Sequence, residues 1–146
     1  MKTDLVVSGY LIQDGKLLLI HHKKLDKWLP PGGHIDENET PDDSLVREFK
    51  EEVGLDIELV GEKIDVPLNR VLAVPFYVEV HNVGDHDHCC FFYLCALKEN
   101  QDVNIKLDEV KDYKWFSKEE LNDEKIPADV RVLSSKVFEI LEKSQN

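Results

Sequence analysis

Three glutamates and an arginine lie close together on a predicted helix and could bind a divalent cation. Glu48, Glu51 and Glu52 fall within one helical turn, beside Arg47. Residues three or four positions apart are neighbours on a helix surface, and like charges placed there destabilise an isolated helix by about 0.2–0.5 kcal/mol per pair. A cation would offset this repulsion. Mg²⁺ prefers carboxylate oxygens, and it commonly bridges them to the phosphates of a substrate.

The residues around this cluster form a longer motif. Gly33 is followed by five residues and Glu39, then by seven residues and Arg47-Glu48, and finally by Glu51-Glu52 and Gly54-Leu55. The pattern resembles the signature of the Nudix box, and every fixed position of that signature is occupied. The resemblance covers essentially the whole chain. It implies an α/β/α sandwich with a mixed β-sheet and hydrolysis of a nucleoside diphosphate linked to another group.

The resemblance also implies roles for individual residues. The metal, Mg²⁺ or Mn²⁺, would be held by the Gly33 carbonyl, Glu48 and Glu52, with assistance from Glu51. Arg47 would orient Glu48, and Glu39 would be a supporting carboxylate. These four box residues, Arg47, Glu48, Glu51 and Glu52, are the candidate catalytic residues. Many Nudix proteins carry another acidic residue in a later loop, so Glu109 is a further candidate ligand or base, with an ordinary surface acid as the alternative.

Local signals predict the helix that carries the glutamates. Thr40, with Asp43 three residues later and Pro41 between them, is typical of a helix start, and Gly54 is typical of a helix end. A helix over about 41–53 would place Leu45, Val46, Phe49 and Val53 on one buried side. Ser44 and the three glutamates would lie on a neighbouring, acidic face.

The segment before the helix could bind substrate. Trp28-Leu29-Pro30-Pro31 is stiff, and Gly32-Gly33 can expose backbone atoms to a cation. Trp28, Gly32, Gly33, His34 and Glu39 are the candidate substrate-binding residues; Trp28 could stack on a base, with packing in the core as the alternative. For His34 the alternative is a surface loop position.

Further histidines and lysines allow two readings. His21-His22-Lys23-Lys24, with Lys27, is either an exposed turn or a cationic rim for phosphates. His86 and His88 have a polar setting typical of metal ligands, but no third ligand lies nearby in the sequence. We therefore interpret them as pocket lining or surface rather than as a zinc site. Cys89, Cys90 and Cys95 lack zinc-site spacing and are expected to be buried, reduced thiols.

The rest of the chain predicts strands and a second helix. Leu5–Ile12 and Lys16–His22 form a hairpin around Asp14-Gly15. Further strands are expected over 56–60, 70–80, 89–97 and 113–116, with a polar loop over 82–88, a helical turn over 117–121 and an amphipathic helix containing Val130, Leu133 and Val137. This order predicts an α/β (α+β) fold in one domain spanning residues 1–146. The last residues, 143–146, are expected to fray.

Composition limits the classes of partner that the protein is expected to bind. A net charge of −12 with 42% apolar residues is typical of a globular protein and argues against nucleic-acid or membrane binding. No targeting segment or long apolar run is found, so a cytoplasmic location is expected. The substrate would be a small nucleotide. Sheet edges and the aromatic run Phe91-Phe92-Tyr93 leave room for a homodimer.

The substrate is the least determined prediction. The finer family hallmarks of ADP-ribose, dinucleoside polyphosphate and coenzyme A hydrolases are not found, which favours a nucleoside triphosphate pyrophosphohydrolase. A hydrolase of dinucleoside polyphosphates or nucleotide sugars is the alternative. A catalytically silent, nucleotide-sensing module and an acid-rich scaffold also stay open.

Overall fold

The computed structural model describes residues 2–144, which contain eight strands, two α-helices and one 3₁₀ helix. The strands are β1 (Thr3–Gln13), β2 (Lys16–His22), β3 (Lys27–Leu29), β4 (Gly32–His34), β5 (Ile57–Val60), β6 (Tyr77–Asn82), β7 (Asp87–Leu97) and β8 (Val110–Phe116). The α-helices are α1 (Pro41–Val53) and α2 (Ala128–Ser144), and the 3₁₀ helix spans Lys118–Asn122. Of the segment predicted to fray, residues 145 and 146 lie outside the described residues, whereas 143 and 144 are the end of α2.

The strands form a mixed sheet around β1 and β2. β1 runs parallel to β7 from Thr3↔Asp87 to Leu11↔Cys95, and its other edge pairs antiparallel with β4 and β2. β7 also pairs antiparallel with β5 and β6. β2 in turn pairs antiparallel with β3 and β8.

Alternating side chains of β2 divide the interior into two cores. Leu18 and Ile20 pack with one core, which contains Leu45, Phe49 and Val53 of α1. Leu17 and Leu19 pack with the other core, which contains Val130, Leu133 and Val137 of α2. Successive side chains of a strand point to opposite faces, so residues 17–20 of β2 are all apolar because both faces of the strand are covered there. The predicted α/β/α sandwich is confirmed.

The ends of α1 follow from local chemistry. The Thr40 Oγ1 accepts a hydrogen bond from the Asp43 N–H at 3.1 Å, which satisfies a donor that the first turn leaves free. Gly54 adopts φ 70°, and its N–H donates to the Lys50 carbonyl at 3.1 Å. Glycine suits this left-handed position because it has no Cβ. The predicted bounds of the helix are confirmed.

The first hairpin is also confirmed. Asp14 and Gly15 both have positive φ, 53° and 77°, as a two-residue turn of type I′ requires. The turn places Ile12 opposite Leu17 and Gln13 opposite Lys16.

Several other sequence predictions were wrong in extent. The strand expected over 70–80 begins only at Tyr77, after a segment interrupted by Pro67 and Pro75, which have no N–H to donate to a ladder. The loop expected over 82–88 shrinks to 83–86, because β6 and β7 extend into it. Strands β3 and β4 were not predicted.

Burial also corrects two expectations. Val46 is 36% exposed rather than buried with the other apolar residues of α1. In the aromatic run considered for a dimer surface, Phe92 and Tyr93 are 5% and 3% exposed and pack in opposite cores. This run therefore contributes to the interior and offers no argument for a homodimer.

Candidate functional site

The glycines of β4 let the carboxylates of α1 approach the sheet. The Gly32 N–H donates to Glu52 Oε1 at 2.9 Å. A Cβ on Gly32 would lie 2.1 Å from the Val7 carbonyl oxygen, and a Cβ on Gly33 would lie 2.5 Å from Glu48 Oε1. Real Cβ atoms essentially never come this close to another atom. The absence of a side chain on Gly33 therefore allows Glu48 to approach β4, whereas the absence of one on Gly32 allows β4 to lie close to β1.

Arg47 connects the rest of the motif. Its Nε and Nη2 donate to the two carboxylate oxygens of Glu39 at 2.7 and 3.0 Å, a bidentate arrangement. Its Nη1 donates to Glu48 at 3.1 Å and to Glu51 at 3.2 Å, and Nη2 also donates to the His34 carbonyl at 3.2 Å. The hydrogen bond to Glu39, followed by the nearby carboxylates, raises the pKa of Arg47 above its usual value. One guanidinium thus holds both α1 and the end of β4.

Glu48 and Glu52 are carboxylates in an environment that disfavours their charge. Burial raises the pKa of Glu48 to about 7, against the opposing effect of Arg47. Burial likewise raises the pKa of Glu52 to about 8, although the Gly32 N–H lowers it, and Glu48, Glu109 and Glu51 add repulsion. Within residues 2–144, Arg47 is the cation in contact with the box glutamates, so the cluster is short of positive charge.

These residues fit a hard divalent cation. Clustered carboxylate oxygens with raised pKa values, next to backbone that no side chain covers, are the donors that Mg²⁺ or Mn²⁺ prefers. Part of the predicted acidic face is buried, because Glu52 is 7% exposed and Ser44 is fully buried. The Ser44 hydroxyl donates to the His34 carbonyl at 3.2 Å, which ties α1 further to β4.

The carboxylates open into a cleft of about 810 Å³. Glu48 and Glu52 line it together with Glu109 and the backbone of Gly32-Gly33. His22, Lys23 and Lys24 also line it, so part of the predicted cationic rim is present. The Lys23 Nζ donates to the Leu107 carbonyl at 2.6 Å, and its N–H donates to the Glu109 carbonyl at 3.0 Å. Anionic and cationic side chains therefore face the same space.

The structure brings most of the predicted site residues together. The predicted site residues that line the cleft are Gly32, Gly33, His34, Glu48, Glu52 and Glu109. Arg47 contacts Glu39, Glu48 and Glu51 behind this lining.

Trp28 is the predicted site residue that the structure places elsewhere. Its ring stacks on His21 with centroids 4.9 Å apart and meets the edge of Phe116 at 5.2 Å. It packs against the core that contains α2 and is not part of the cleft lining. Its neighbours Leu29 and Pro30 line the cleft instead. The proximity of Trp28 to the glycines in sequence was misleading, because its ring packs against His21 and Phe116 instead of lining the cleft.

Asp4 lies in a group of residues that the sequence did not single out. Its carboxylate and the imidazoles of His34 and His88 have ligand atoms within 4.8 Å of one another. His88 lines the cleft, as the pocket-lining interpretation expected, but Asp4 and His34 are nearby ligand groups that the sequence did not show. The pKa of His88 lies below its usual value because of burial and the neighbouring His34, His86 and His81. No local pattern could have indicated this group, since it depends on the pairing of β1 with β7.

The three cysteines are free, as predicted. Cys90 and Cys95 are buried, and burial raises the pKa of Cys90 to about 12 and that of Cys95 further still. A thiol that stays protonated is a poor nucleophile and a poor metal ligand. Cys90 lines the cleft but, like Cys95, is a poor candidate for a nucleophile or a metal ligand, and Cys89 is half-buried rather than buried as predicted.

The protein is thus an α/β/α sandwich in which the clustered glutamates of one helix face a glycine-rich strand. The NUDIX domain family model matches residues 2–136. The chain belongs to the Nudix family.

Individual relatives agree with this. The chain is 35% identical over 97 residues to a probable DHNTP pyrophosphohydrolase of Lactococcus lactis subsp. cremoris (strain MG1363), a match that covers 66% of this chain and 56% of the relative. It is 32% identical over 97 residues to an RNA pyrophosphohydrolase of Sulfurovum sp. (strain NBC37-1), covering 62% and 56%. The chain thus spans just over half the length of these curated relatives.

A solved structure covers almost the whole chain. The crystal structure of a hydrolase of the NUDIX family from Clostridium perfringens superimposes with a TM-score of 0.83 at 32% identity. The match covers 97% of this chain and 99% of the other.

No helix among the described residues is long and apolar enough to cross a membrane.

Proposed function

We propose that this chain is a Mg²⁺- or Mn²⁺-dependent pyrophosphohydrolase that cleaves a phosphoanhydride bond of a nucleoside triphosphate. The observation that carries the proposal is the buried carboxylate of Glu52 together with the half-buried carboxylate of Glu48, at the glycine edge of a cleft that also contains Lys23 and Lys24. Buried carboxylates are costly unless they are paired or coordinate a metal. The lysines would face the negative phosphates of a substrate.

The chain supplies positioning and charge. The cation would be held by Glu48, Glu52 and the Gly33 carbonyl, with Glu51 and Glu109 as further ligands. Bound Mg²⁺ supplies positive charge that disperses the negative charge developing on phosphate oxygens as the bond breaks. Arg47 holds Glu48 in place through the 3.1 Å hydrogen bond, and Glu39 holds Arg47. Glu48, Glu51 or Glu109 would accept the proton of the attacking water.

Charge supports a small substrate. The net charge of −12 repels long polyanions, whereas a short triphosphate can be gripped at one cationic rim. The two curated relatives described above are named pyrophosphohydrolases, one of DHNTP and one of RNA. Dinucleoside polyphosphates and nucleotide sugars are the alternative substrates, and a cytoplasmic location is part of the proposal.

A substrate screen tests the proposal. Nucleoside triphosphates, dinucleoside polyphosphates, sugar nucleotides, ADP-ribose and 5′-triphosphorylated RNA would be incubated with Mg²⁺ or Mn²⁺, and released phosphate or pyrophosphate measured. We expect the highest kcat/KM with a nucleoside triphosphate. A preference for another substrate class would refute the assignment of the substrate but not of the chemistry.

Matched variants test the chemistry. Glu52→Gln removes a proposed ligand, whereas Glu58→Gln changes an exposed glutamate of β5. Loss of several kcal/mol of charge stabilisation corresponds to a fall in kcat of at least about 100-fold for Glu52→Gln. Wild-type turnover in Glu52→Gln would refute the metal assignment. Mg²⁺-dependent nucleotide binding without turnover in the parent would instead identify a silent sensing module, and absence of Mg²⁺ heat in titration calorimetry would identify a scaffold.

A further inference from the structure

Several histidines meet at the cleft on the side of the sheet that faces α2. Asp4 of β1 is paired with His88 of β7, and His88 is paired with His81 of β6. On the other edge of β1, His34 is paired with Val6, two residues beyond Asp4 and on the same face. Paired and diagonal residues on one face of a sheet lie within reach of each other's side chains. Strand pairing therefore forms a row of imidazoles around one carboxylate.

The ring nitrogens converge on Asp4. Its Oδ2 lies 3.4 Å from His34 Nε2 and 3.3 Å from His86 Nε2. His86 Nε2 is in turn 3.2 Å from His88 Nε2. The rings of His34 and His86 lie 5.1 and 5.0 Å from that of His88, measured between centroids. Imidazole nitrogens are the commonest side-chain ligands of metals in proteins, and here two of them face one carboxylate.

We propose that Asp4, His34 and His88 form a second cation site, separate from the glutamate site. This second site selects a borderline transition metal such as Zn²⁺, Ni²⁺ or Co²⁺. Their ligand atoms lie within 4.8 Å of one another. Small side-chain movements on metal binding can bring all three atoms into contact with one ion. His86 is adjacent and is available as a fourth ligand.

The donor set defines the metal class. Imidazole suits Zn²⁺, Cu²⁺ and Ni²⁺, whereas all-oxygen donors suit Mg²⁺ and Mn²⁺. Two histidines and one carboxylate are a common protein contribution to a zinc site that keeps a coordination position open. His34 and His88 line the same cleft as Glu48 and Glu52, so a ligand that enters the cleft could occupy that position. The site does not depend on the proposed hydrolase activity, because it shares no side chain with the glutamate cluster.

Metal titration of the full-length chain tests the site. A Glu48→Gln/Glu52→Gln double variant disables the oxygen site. Zn²⁺ binding to this double variant would be measured by calorimetry. Asp4→Asn, His34→Gln and His88→Gln would each be added to this background. His22→Gln is the matched control, since His22 lines the same cleft but is not part of the cluster. Circular dichroism and thermal unfolding would establish that every variant is folded.

We expect the background and the His22→Gln control to bind one equivalent of Zn²⁺. Each change in Asp4, His34 or His88 is expected to weaken binding by at least about 10-fold, the lower end of losses seen around metal sites. Co²⁺ should give an intense visible absorption in the control that His88→Gln abolishes, because a histidine site of low coordination number differs from an octahedral oxygen site. No Zn²⁺ binding to the folded background, or equal affinity in His88→Gln and His22→Gln, would overturn the proposal.

Discussion

Replacement of Gly33 by alanine tests whether the close approach of β4 to Glu48 is needed for activity. The added Cβ would lie 2.5 Å from Glu48 Oε1, 2.6 Å from its Cδ and 3.0 Å from Oε2. The backbone of Gly33 itself does not require glycine, because it is not among the residues with positive φ. The perturbation is therefore directed at the carboxylate.

The size of the effect follows from the required displacement. Ordinary van der Waals contact begins at 3.4 Å, so the carboxylate must retreat by about 0.9 Å from the new methyl group. That retreat disturbs the 3.1 Å hydrogen bond from Arg47 and the position that Glu48 offers a cation. A misplacement of about 1 Å in a catalytic group can cost about 10²-fold in rate.

We expect Gly33→Ala to lower kcat by about 10²-fold, measured as pyrophosphate release from the best nucleoside triphosphate. Its apparent affinity for Mg²⁺ should fall as well. Gly15→Ala is the control: its Cβ meets no atom within 4 Å, but φ 77° disfavours alanine. It should lose about 1–2 kcal/mol of stability without a change in kcat. If Gly33→Ala kept full activity while its thermal midpoint matched the parent's, the role of Glu48 at this edge would be refuted.

Four further changes have expected outcomes. Thr40→Ala removes the acceptor for the Asp43 N–H and should lower the free energy of unfolding by about 1 kcal/mol in urea titrations, whereas Thr3→Ala, at an exposed strand end, should change it little. Phe49→Ala empties a fully buried position in the core below α1 and should cost about 3–5 kcal/mol by the same assay; a loss below 1 kcal/mol would contradict this packing. At a pH above about 8, where Glu52 is charged, Glu52→Gln should raise the thermal midpoint of the metal-free protein while abolishing its rise on addition of Mg²⁺, because it removes a buried charge and a proposed ligand together; an unchanged response to Mg²⁺ would argue against the assignment. The hydrogen bond from Lys114 lowers the pKa of Glu120 to about 2, below its unfolded value. The stability from this carboxylate is therefore present above about pH 4.5 and is lost as the pH falls towards 2. In Glu120→Gln the thermal midpoint should vary less with pH over that window than in the parent, and identical pH dependence of the two midpoints would contradict the interaction.

Much of the site could be predicted from local sequence. Thr40, Gly54 and the Asp14-Gly15 turn act through atoms a few residues away, so their spacing in the chain predicts the helix and the hairpin correctly. The family resemblance of the Gly33–Leu55 motif likewise predicted the sandwich. Glu48, Glu51 and Arg47 are grouped because a helix places such residues side by side whatever surrounds it.

Other features depended on pairings that no local pattern shows. Strands β3 and β4 have three residues each and exist because β2 and β1 provide partners for them. Pro75 prevents the strand that composition favoured over 70–80 from beginning before Tyr77. Trp28 packs against the α2 core because the pairing of β3 with β2 places its ring against His21 and against Phe116, which is distant in the sequence.

Taken by itself, the sequence determined the chemistry that is available: a helix with clustered glutamates, its caps, and the glycines before it. Tertiary structure decided how that chemistry is used. It buried Glu52 against the Gly32 N–H, brought Glu109 to the cleft, and joined Asp4 to His88 across 84 positions of sequence. Helix signals act between near neighbours, whereas the register of a parallel strand pair is set by the packing of the whole sheet and its two cores.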